Sequence, residues 1–193
     1  VAALGADCAA DILDCLAGAH TRLAEGQGSE LLWRDAKDKR LKPIDALKIY
    51  ALKTSPAFEA ALYTGARLAG DAAALEEPIR IFARNIGVAF QILNDLGDWE
   101  GDEHNKLEAG GDVLGGRPTL LWALALANVN EKEQEELLSL ASPDCEMSKT
   151  EKLRRVEALY RQANVFEQAH RLIEKHEQRA LEAAATIESE DMQ

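Results

Sequence analysis

Residues 82–102 read FARNIGVAFQILNDLGDWEGD, and this stretch decides the fold class. Most of its positions are apolar at helical spacing, and Pro78 lies just ahead of it as a favourable first residue of a helix. At about 100° per residue, its polar side chains fall within one sector about 100° wide. These residues are Gln91, Asn94, Asp95, Asp98 and Asp102. A helix that is apolar on its other faces is buried, so the stretch predicts the central helix of an all-α protein.

The remainder of the chain also favours helices. Aromatic residues make up only 5% of the sequence, and no alternation of apolar and polar residues indicates a strand. A glycine-containing loop is expected at residues 26–28, and a long polar loop at 101–118. We expect one all-helical domain over residues 1–193, with helices at 4–23, 43–54, 56–70, 78–101, 118–128, 131–141 and 150–188, the last broken near Asn164.

Composition limits the classes of function. The 193 residues carry 22 basic and 34 acidic side chains, a net charge of -12, which disfavours binding to a nucleic-acid backbone. The longest apolar run, residues 120–127, is shorter than the roughly 20 residues that a membrane-spanning helix needs. A cytoplasmic location is therefore expected. The first residue is Val1 rather than Met, so we also expect the chain to be cut from a longer protein.

The polar face of the central helix suggests a metal site. Buried carboxylates are costly unless they are paired or bound to a cation, and several oxygen ligands on one face favour a hard ion such as Mg²⁺. Gly87 lies on the same sector, where the missing side chain would leave room for a ligand. The alternative is that Asp95 and Asp98 are solvated acids near a helix end.

Residues 90–98 of the predicted central helix read FQILNDLGD. This stretch resembles FQxxDDxxD, the second aspartate-rich motif of the trans-prenyl diphosphate synthases, and further short motifs around it resemble the same family. The motifs occur in the family's order and spacing, over about residues 20–127. The other matching pieces are Gly26-Gln27, the Lys53-Thr54 pair, Asn105-Lys106, Gly111-Asp112 and Gly116-Arg117-Pro118-Thr119.

The resemblance implies a fold, a reaction and a set of roles. The fold would be the C-terminal portion of an isoprenoid-synthase-type helical bundle. The reaction would join isopentenyl diphosphate to an allylic prenyl diphosphate with Mg²⁺ and release pyrophosphate, a step of isoprenoid biosynthesis, in a homodimer. Metal ligands would be Asn94, Asp95 and Asp98. Diphosphate would be bound by Lys53, Gln91, Lys106 and Arg117. The catalytic set would be Lys53, Thr54 and Gln91, of which Thr54 and Gln91 flank the carbocation.

Two departures from the family pattern leave alternatives open. Asn94 replaces the leading aspartate of the motif, and Asn94, Asp98 and Asp102 also resemble the metal motif of terpene cyclases. The family's first aspartate-rich motif is not found in this sequence. Asp7, Asp11 and Asp14 are not that motif, because they lie opposite the apolar stripe of the first helix and are expected to face solvent. The chain alone would then hold half a site. The alternatives are a terpene-cyclase-like synthase that ionises one prenyl diphosphate, and a non-catalytic regulatory paralogue of a prenyl synthase.

Overall fold

A computed structural model describes residues 5–100, 110–142 and 144–187 of the chain. These residues form α-helices and no strand, which confirms the all-α prediction. A short 3₁₀ turn, Ala73–Leu75, leads into the fourth helix. The helices are α1 Ala6–Asp35, α2 Pro43–Lys53, α3 Ser55–Ala69, α4 Glu76–Glu100, α5 Gly111–Leu114, α6 Leu120–Asn128, α7 Glu131–Leu140, α8 Lys149–Gln162 and α9 Val165–Ala184.

Local sequence accounts for most helix boundaries. Pro43 is the first residue of α2, where its missing N–H is not needed. Asn130 and Ser148 cap α7 and α8 in capping boxes with the glutamates three residues later. Asn164 adopts a left-handed conformation, with φ 54°, and separates α8 from α9. The predicted break near Asn164 is therefore confirmed.

The long α4 helix is the centre of the bundle. It packs most extensively against α9 and α3, and it also contacts α2 and α6, while α1 packs against α2 and α3. The very apolar α6 is buried along most of its length. Trp99, Tyr160 and Phe166 form an aromatic cluster with ring centroids 5.1 to 6.2 Å apart. Of the helices described, none has the length and apolarity to cross a membrane.

The loop predicted at residues 26–28 is wrong, because α1 runs through it without interruption. Gly26 is buried where α1 crosses α2, and a Cβ added there would lie 2.6 Å from the backbone nitrogen of Lys53. Glycine is thus needed for close approach of two helices rather than for a turn. The second glycine, Gly28, has no neighbouring atom within 4 Å of the Cβ position.

This difference between the two glycines gives a stability test. Gly26→Ala should destabilise the protein by about 2 kcal/mol, because the new methyl group overlaps the α2 backbone. Gly28→Ala should stabilise it by about 0.5 kcal/mol, since alanine is the better helix former and the site is open. Urea unfolding followed by circular dichroism measures both changes. Equal effects of the two substitutions would contradict the close approach.

Candidate active site

Helices α2 and α4 run antiparallel, and side-chain hydrogen bonds mark their register. The hydroxyl of Tyr50 donates to the carboxylate of Asp95. Thr54 comes directly after the end of α2, four residues beyond Tyr50. Its hydroxyl accepts a hydrogen bond of 2.7 Å from the amide of Gln91, which lies four residues before Asp95 on α4. Because residues four apart lie on one helix face, these two contacts form consecutive rungs between the two helices. The predicted residues Thr54 and Gln91 are thereby brought together.

Gly87 on α4 packs closely against Ser55, the first residue of α3. A Cβ at Gly87 would lie 2.5 Å from the Ser55 hydroxyl and 2.7 Å from its Cα. The Ser55 hydroxyl donates to the backbone oxygen of Arg84 at 3.1 Å. The expectation that Gly87 leaves room for a ligand is therefore wrong, because the space is filled by the first residue of α3.

Asp95 points into the protein interior rather than toward the exposed face of α4. It is only 5% exposed, and one carboxylate oxygen accepts from the Tyr50 hydroxyl and, at 3.0 Å, from the backbone N–H of Leu120. Burial raises its pKa to about 7, although both hydrogen bonds act in the opposite direction. On α4 Asp95 lies about 100° around the helix from Asn94 and about 60° from Asp98. The carboxylate of Asp95 is used by Tyr50 and Leu120, which sets it apart from the other two predicted metal ligands.

Asn94 and Asp98 remain together, one helical turn apart on the accessible side of α4. Asn94 is exposed and Asp98 is half-buried. The carboxylate of Asp98 accepts from the backbone N–H of Asp112 at 3.0 Å, and its backbone oxygen accepts from Gly110 at 2.8 Å. Burial raises the pKa of Asp98, and the hydrogen bond from Asp112 opposes the shift. The segment that begins α5 therefore holds Asp98 in place.

Lys53 is held by a residue that the sequence analysis did not single out. Its ammonium forms an ion pair with the carboxylate of Glu30 on α1. Glu30 is 8% exposed, and Gly26, one turn earlier, allows α1 to approach α2 at this point. The sequence clue is that an acid follows Gly26-Gln27 by three residues on the buried stripe of α1. The lysine side chain keeps 32% exposure, so it remains accessible to an anion.

Arg117 and Asp112 form a second ion pair near Asp98. The Arg117 guanidinium donates to the Asp112 carboxylate at 2.9 Å and is 60% exposed. Asp112, which the motif comparison included without a role, thus connects Arg117 with Asp98. Lys106 lies outside the described residues, as do Asn105 and Asp102.

On the accessible face of α4, Asn94 and Asp98 supply part of a ligand set for a magnesium ion. In the part of the chain that the structure describes, no group of three or more His, Cys, Asp or Glu side chains converges as a metal cage. Asn94 and Asp98 nevertheless offer hard oxygen atoms on one face. Magnesium is commonly bound by one or two protein oxygens together with water and substrate phosphates. The donor set therefore fits Mg²⁺ held jointly with a diphosphate.

Apolar side chains adjoin the polar face. Phe90 and Leu93 precede Asn94 on α4 and are 46% and 51% exposed. The ring of Phe58 on α3 packs edge-on against Phe90 with centroids 6.0 Å apart. An exposed apolar surface beside oxygen donors on the same helix suits an amphiphile with a metal-bound anionic head and a hydrocarbon tail.

Comparison with known proteins identifies the family to which the chain belongs. Residues 2–162 match the family model described as polyprenyl synthetase. Among curated relatives, an all-trans-nonaprenyl-diphosphate synthase (geranyl-diphosphate specific) of Rhodobacter capsulatus is 34% identical over 140 residues, or 71% of this chain and 41% of the relative. An octaprenyl diphosphate synthase of Haemophilus influenzae is 28% identical over 123 residues, covering 63% of this chain and 37% of that protein.

Solved structures agree on the fold. The polyprenyl synthase of Caulobacter crescentus, complexed with calcium and isoprenyl diphosphate, has a TM-score of 0.80 at 28% identity over 94% of this chain and 55% of that one. The geranylgeranyl pyrophosphate synthase of Corynebacterium glutamicum, complexed with isoprenyl diphosphate and magnesium, has a TM-score of 0.84 at 22% identity, covering 98% and 53% of the two chains.

The fold and the family model together define an all-helical isoprenoid-synthase-type protein. The chain belongs to the polyprenyl synthetase family. It spans half or less of the length of the curated relatives named above, and just over half of the two solved structures.

The buried carboxyl of Asp95 should make stability depend on pH. Its pKa is about 7 when folded against an ordinary 3.8, so the stability it contributes is complete below about pH 4 and lost as the pH rises through 7. Asp95→Asn cannot ionise and should gain stability relative to the wild type over this range, by an amount of order 4 kcal/mol at most. Thermal unfolding of both proteins from pH 4 to 8 measures this difference, and a constant difference would contradict it.

Removing only one partner of the Lys53–Glu30 ion pair should lower the free energy of unfolding. Lys53→Met leaves the buried Glu30 carboxylate without its cation and should destabilise the protein by about 2 kcal/mol. The double variant Lys53→Met/Glu30→Gln removes the unpaired charge and should recover much of that loss. Denaturant unfolding of the two variants and of Glu30→Gln completes the cycle. Additive effects would show that the two groups do not interact.

Proposed function

We propose that this chain supplies the metal- and diphosphate-binding half of a trans-prenyl diphosphate synthase, which joins an allylic prenyl diphosphate to isopentenyl diphosphate. One observation carries the proposal: in a member of the polyprenyl synthetase family, the oxygen donors Asn94 and Asp98 lie on α4 while α2, packed against it, holds an accessible Lys53. The names of the relatives support the same reaction class.

The proposed reaction separates charge. The allylic carbon–oxygen bond breaks, the electron pair leaves with pyrophosphate, and the allylic cation is attacked by the double bond of isopentenyl diphosphate. A new carbon–carbon bond forms, and one proton is then lost to a base, for which the released pyrophosphate is suited. The main requirement is stabilisation of a multiply charged leaving group.

Lys53 is the described cation best suited to the leaving group. A charge contact at about 4 Å contributes roughly 4 kcal/mol at an effective dielectric constant of 20, before desolvation. Glu30 restrains the lysine, which limits the entropy lost when a diphosphate binds. Arg117 would contact the diphosphate from the other side through its exposed guanidinium, and Lys106 belongs to the same proposal.

Thr54 and Gln91 are proposed to flank the cationic end of the substrate. The amide N–H of Gln91 donates to the Thr54 hydroxyl, and no hydrogen bond to the amide oxygen is seen from the residues that the structure describes. An oxygen dipole fixed in this way stabilises positive charge without a formal negative charge that could trap the cation. The apolar Phe90 and Leu93 would lie beside the hydrocarbon part.

Magnesium would be held by Asn94 and Asp98. When bound, the ion would neutralise diphosphate oxygens and stabilise the charge of the leaving group. Asn94 keeps an oxygen ligand but lacks the charge of an aspartate, so the binding should be weaker than with two carboxylates. A homodimer and a cytoplasmic location are further parts of the proposal, supported by the family.

A non-catalytic regulatory subunit is the second candidate. Asn94 favours it, because Asp98 is then the one charged side chain among the two residues proposed to hold the ion. The sequence also contains no first aspartate-rich motif, which the catalytic proposal assigns to residues beyond this chain. A regulatory subunit would have no need to bind metal and pyrophosphate, and this separates the candidates.

Binding of Mg²⁺ and pyrophosphate tests the proposal. Together they should raise the unfolding temperature of the wild-type chain by several degrees, because a ligand that binds only the folded state stabilises it. Lys53→Ala and Asp98→Asn should abolish most of that shift. Each shift is measured against the same variant without ligand, so that stability changes from the substitution cancel.

Matched controls come from exposed residues of the same type on α2 and α1. Lys48→Ala removes an exposed lysine of α2 and Asp7→Asn an exposed acid of α1, and both variants should keep the wild-type shift. A wild-type chain that shows no shift with Mg²⁺ and pyrophosphate, in the folded state, would contradict the catalytic proposal and favour the regulatory subunit.

A further inference from the structure

The hydroxyl of Tyr50 joins three helices at a buried point behind the candidate site. Tyr50 is 5% exposed on α2, donates to the Asp95 carboxylate on α4, and accepts the backbone N–H of Leu120 on α6 at 2.7 Å. The same N–H lies 3.0 Å from the Asp95 carboxylate. Tyr50, Asp95 and the Leu120 amide therefore form a closed set of donors and acceptors, called here the Tyr50 junction.

The Tyr50 junction fixes how far α2 is displaced along α4. Lys53 lies between Tyr50 and Thr54 in sequence, so its height along α4 follows from the rungs that these two residues make. The rung from Thr54 to Gln91 is neutral and half-buried, and water can replace it at little cost. The Tyr50 rung is buried and ends on a carboxylate, which makes it the stronger restraint.

A tyrosine in this core does not require such a bond. Tyr160 is fully buried, and its hydroxyl makes no hydrogen bond of good geometry among the described residues, although Thr119 lies beside it. Packing of the ring is enough for Tyr160. The three-way contact of Tyr50 is therefore a separate property, and Tyr160 provides a control of equal chemistry and similar burial.

We infer that Tyr50 is a positioning residue of the site: the Tyr50 junction holds α2 at the register where Lys53 and the Asn94–Asp98 face meet one metal–diphosphate group. This inference rests on the proposed function and deepens it. Asp95 thereby acts as the anchor behind the face rather than as a ligand on it. Tyr50 itself touches neither metal nor diphosphate.

Calorimetric titration of the whole chain with pyrophosphate at constant Mg²⁺ tests the inference. Tyr50→Phe removes one oxygen atom and should weaken the affinity about tenfold, the usual scale for residues that orient metal ligands. Tyr160→Phe should bind as the wild type does. Measurement below the unfolding transition, with folding checked by circular dichroism, separates affinity from stability.

Asp95→Asn distinguishes an anchor from a ligand and covers the case in which Tyr50→Phe does not fold. Asparagine still offers an oxygen to the Tyr50 hydroxyl and the Leu120 N–H, so this variant should bind pyrophosphate with Mg²⁺ about as tightly as the wild type does. If Asp95→Asn instead loses affinity while Tyr50→Phe keeps it, Asp95 is a metal ligand and the inference is overturned.

The remaining outcomes separate the inference from the proposed function. A wild-type chain that binds, with Tyr50→Phe and Tyr160→Phe binding equally well, overturns the positioning role alone. A folded wild-type chain that binds no pyrophosphate with Mg²⁺ overturns the proposed function, and the role of Tyr50 with it. If both tyrosine variants unfold at a lower temperature than the wild type but bind pyrophosphate with unchanged affinity, the role of Tyr50 is purely structural and the inference is overturned.

Discussion

Burial of the Asp95 carboxylate is the constraint on which the candidate site depends. A charged oxygen in an apolar core must be matched by donors, and here the donors come from α2 and α6. The requirement to satisfy this one group therefore brings three helices to fixed positions. Asn94, about 100° around α4 from Asp95, is exposed, and Asp98, about 60° from Asp95, is half-buried.

The surroundings of the site combine opposite charges within an acidic protein. Lys53 is paired with Glu30, and Arg117 is paired with Asp112. Acidic partners are available because the chain has 12 more acidic than basic side chains. Paired cations of this kind keep their orientation in the absence of an anion. The acids also lower the local positive potential, which agrees with the proposal that a diphosphate binds here together with a divalent cation.

Much of the fold could be predicted from the sequence, because helix periodicity and the break near Asn164 are local features. The continuity of α1 through Gly26 could not, since the reason for that glycine is the α2 backbone beside it. The site was predicted as a set of residue types on one face. Two features of the site depend on partners far along the chain: the inward orientation of the Asp95 side chain and the ion pair between Glu30 and Lys53.

The antiparallel rungs between α2 and α4 also limit how this region can change in evolution. Each rung pairs residues whose numbers add up to the same total, so lengthening either helix by a single residue between rungs would rotate one partner by about 100° away from the other. Substitutions can be absorbed one at a time, but an inserted or deleted residue between Tyr50 and Thr54 cannot. Length variation among homologous chains should therefore be confined to the connections outside these two segments.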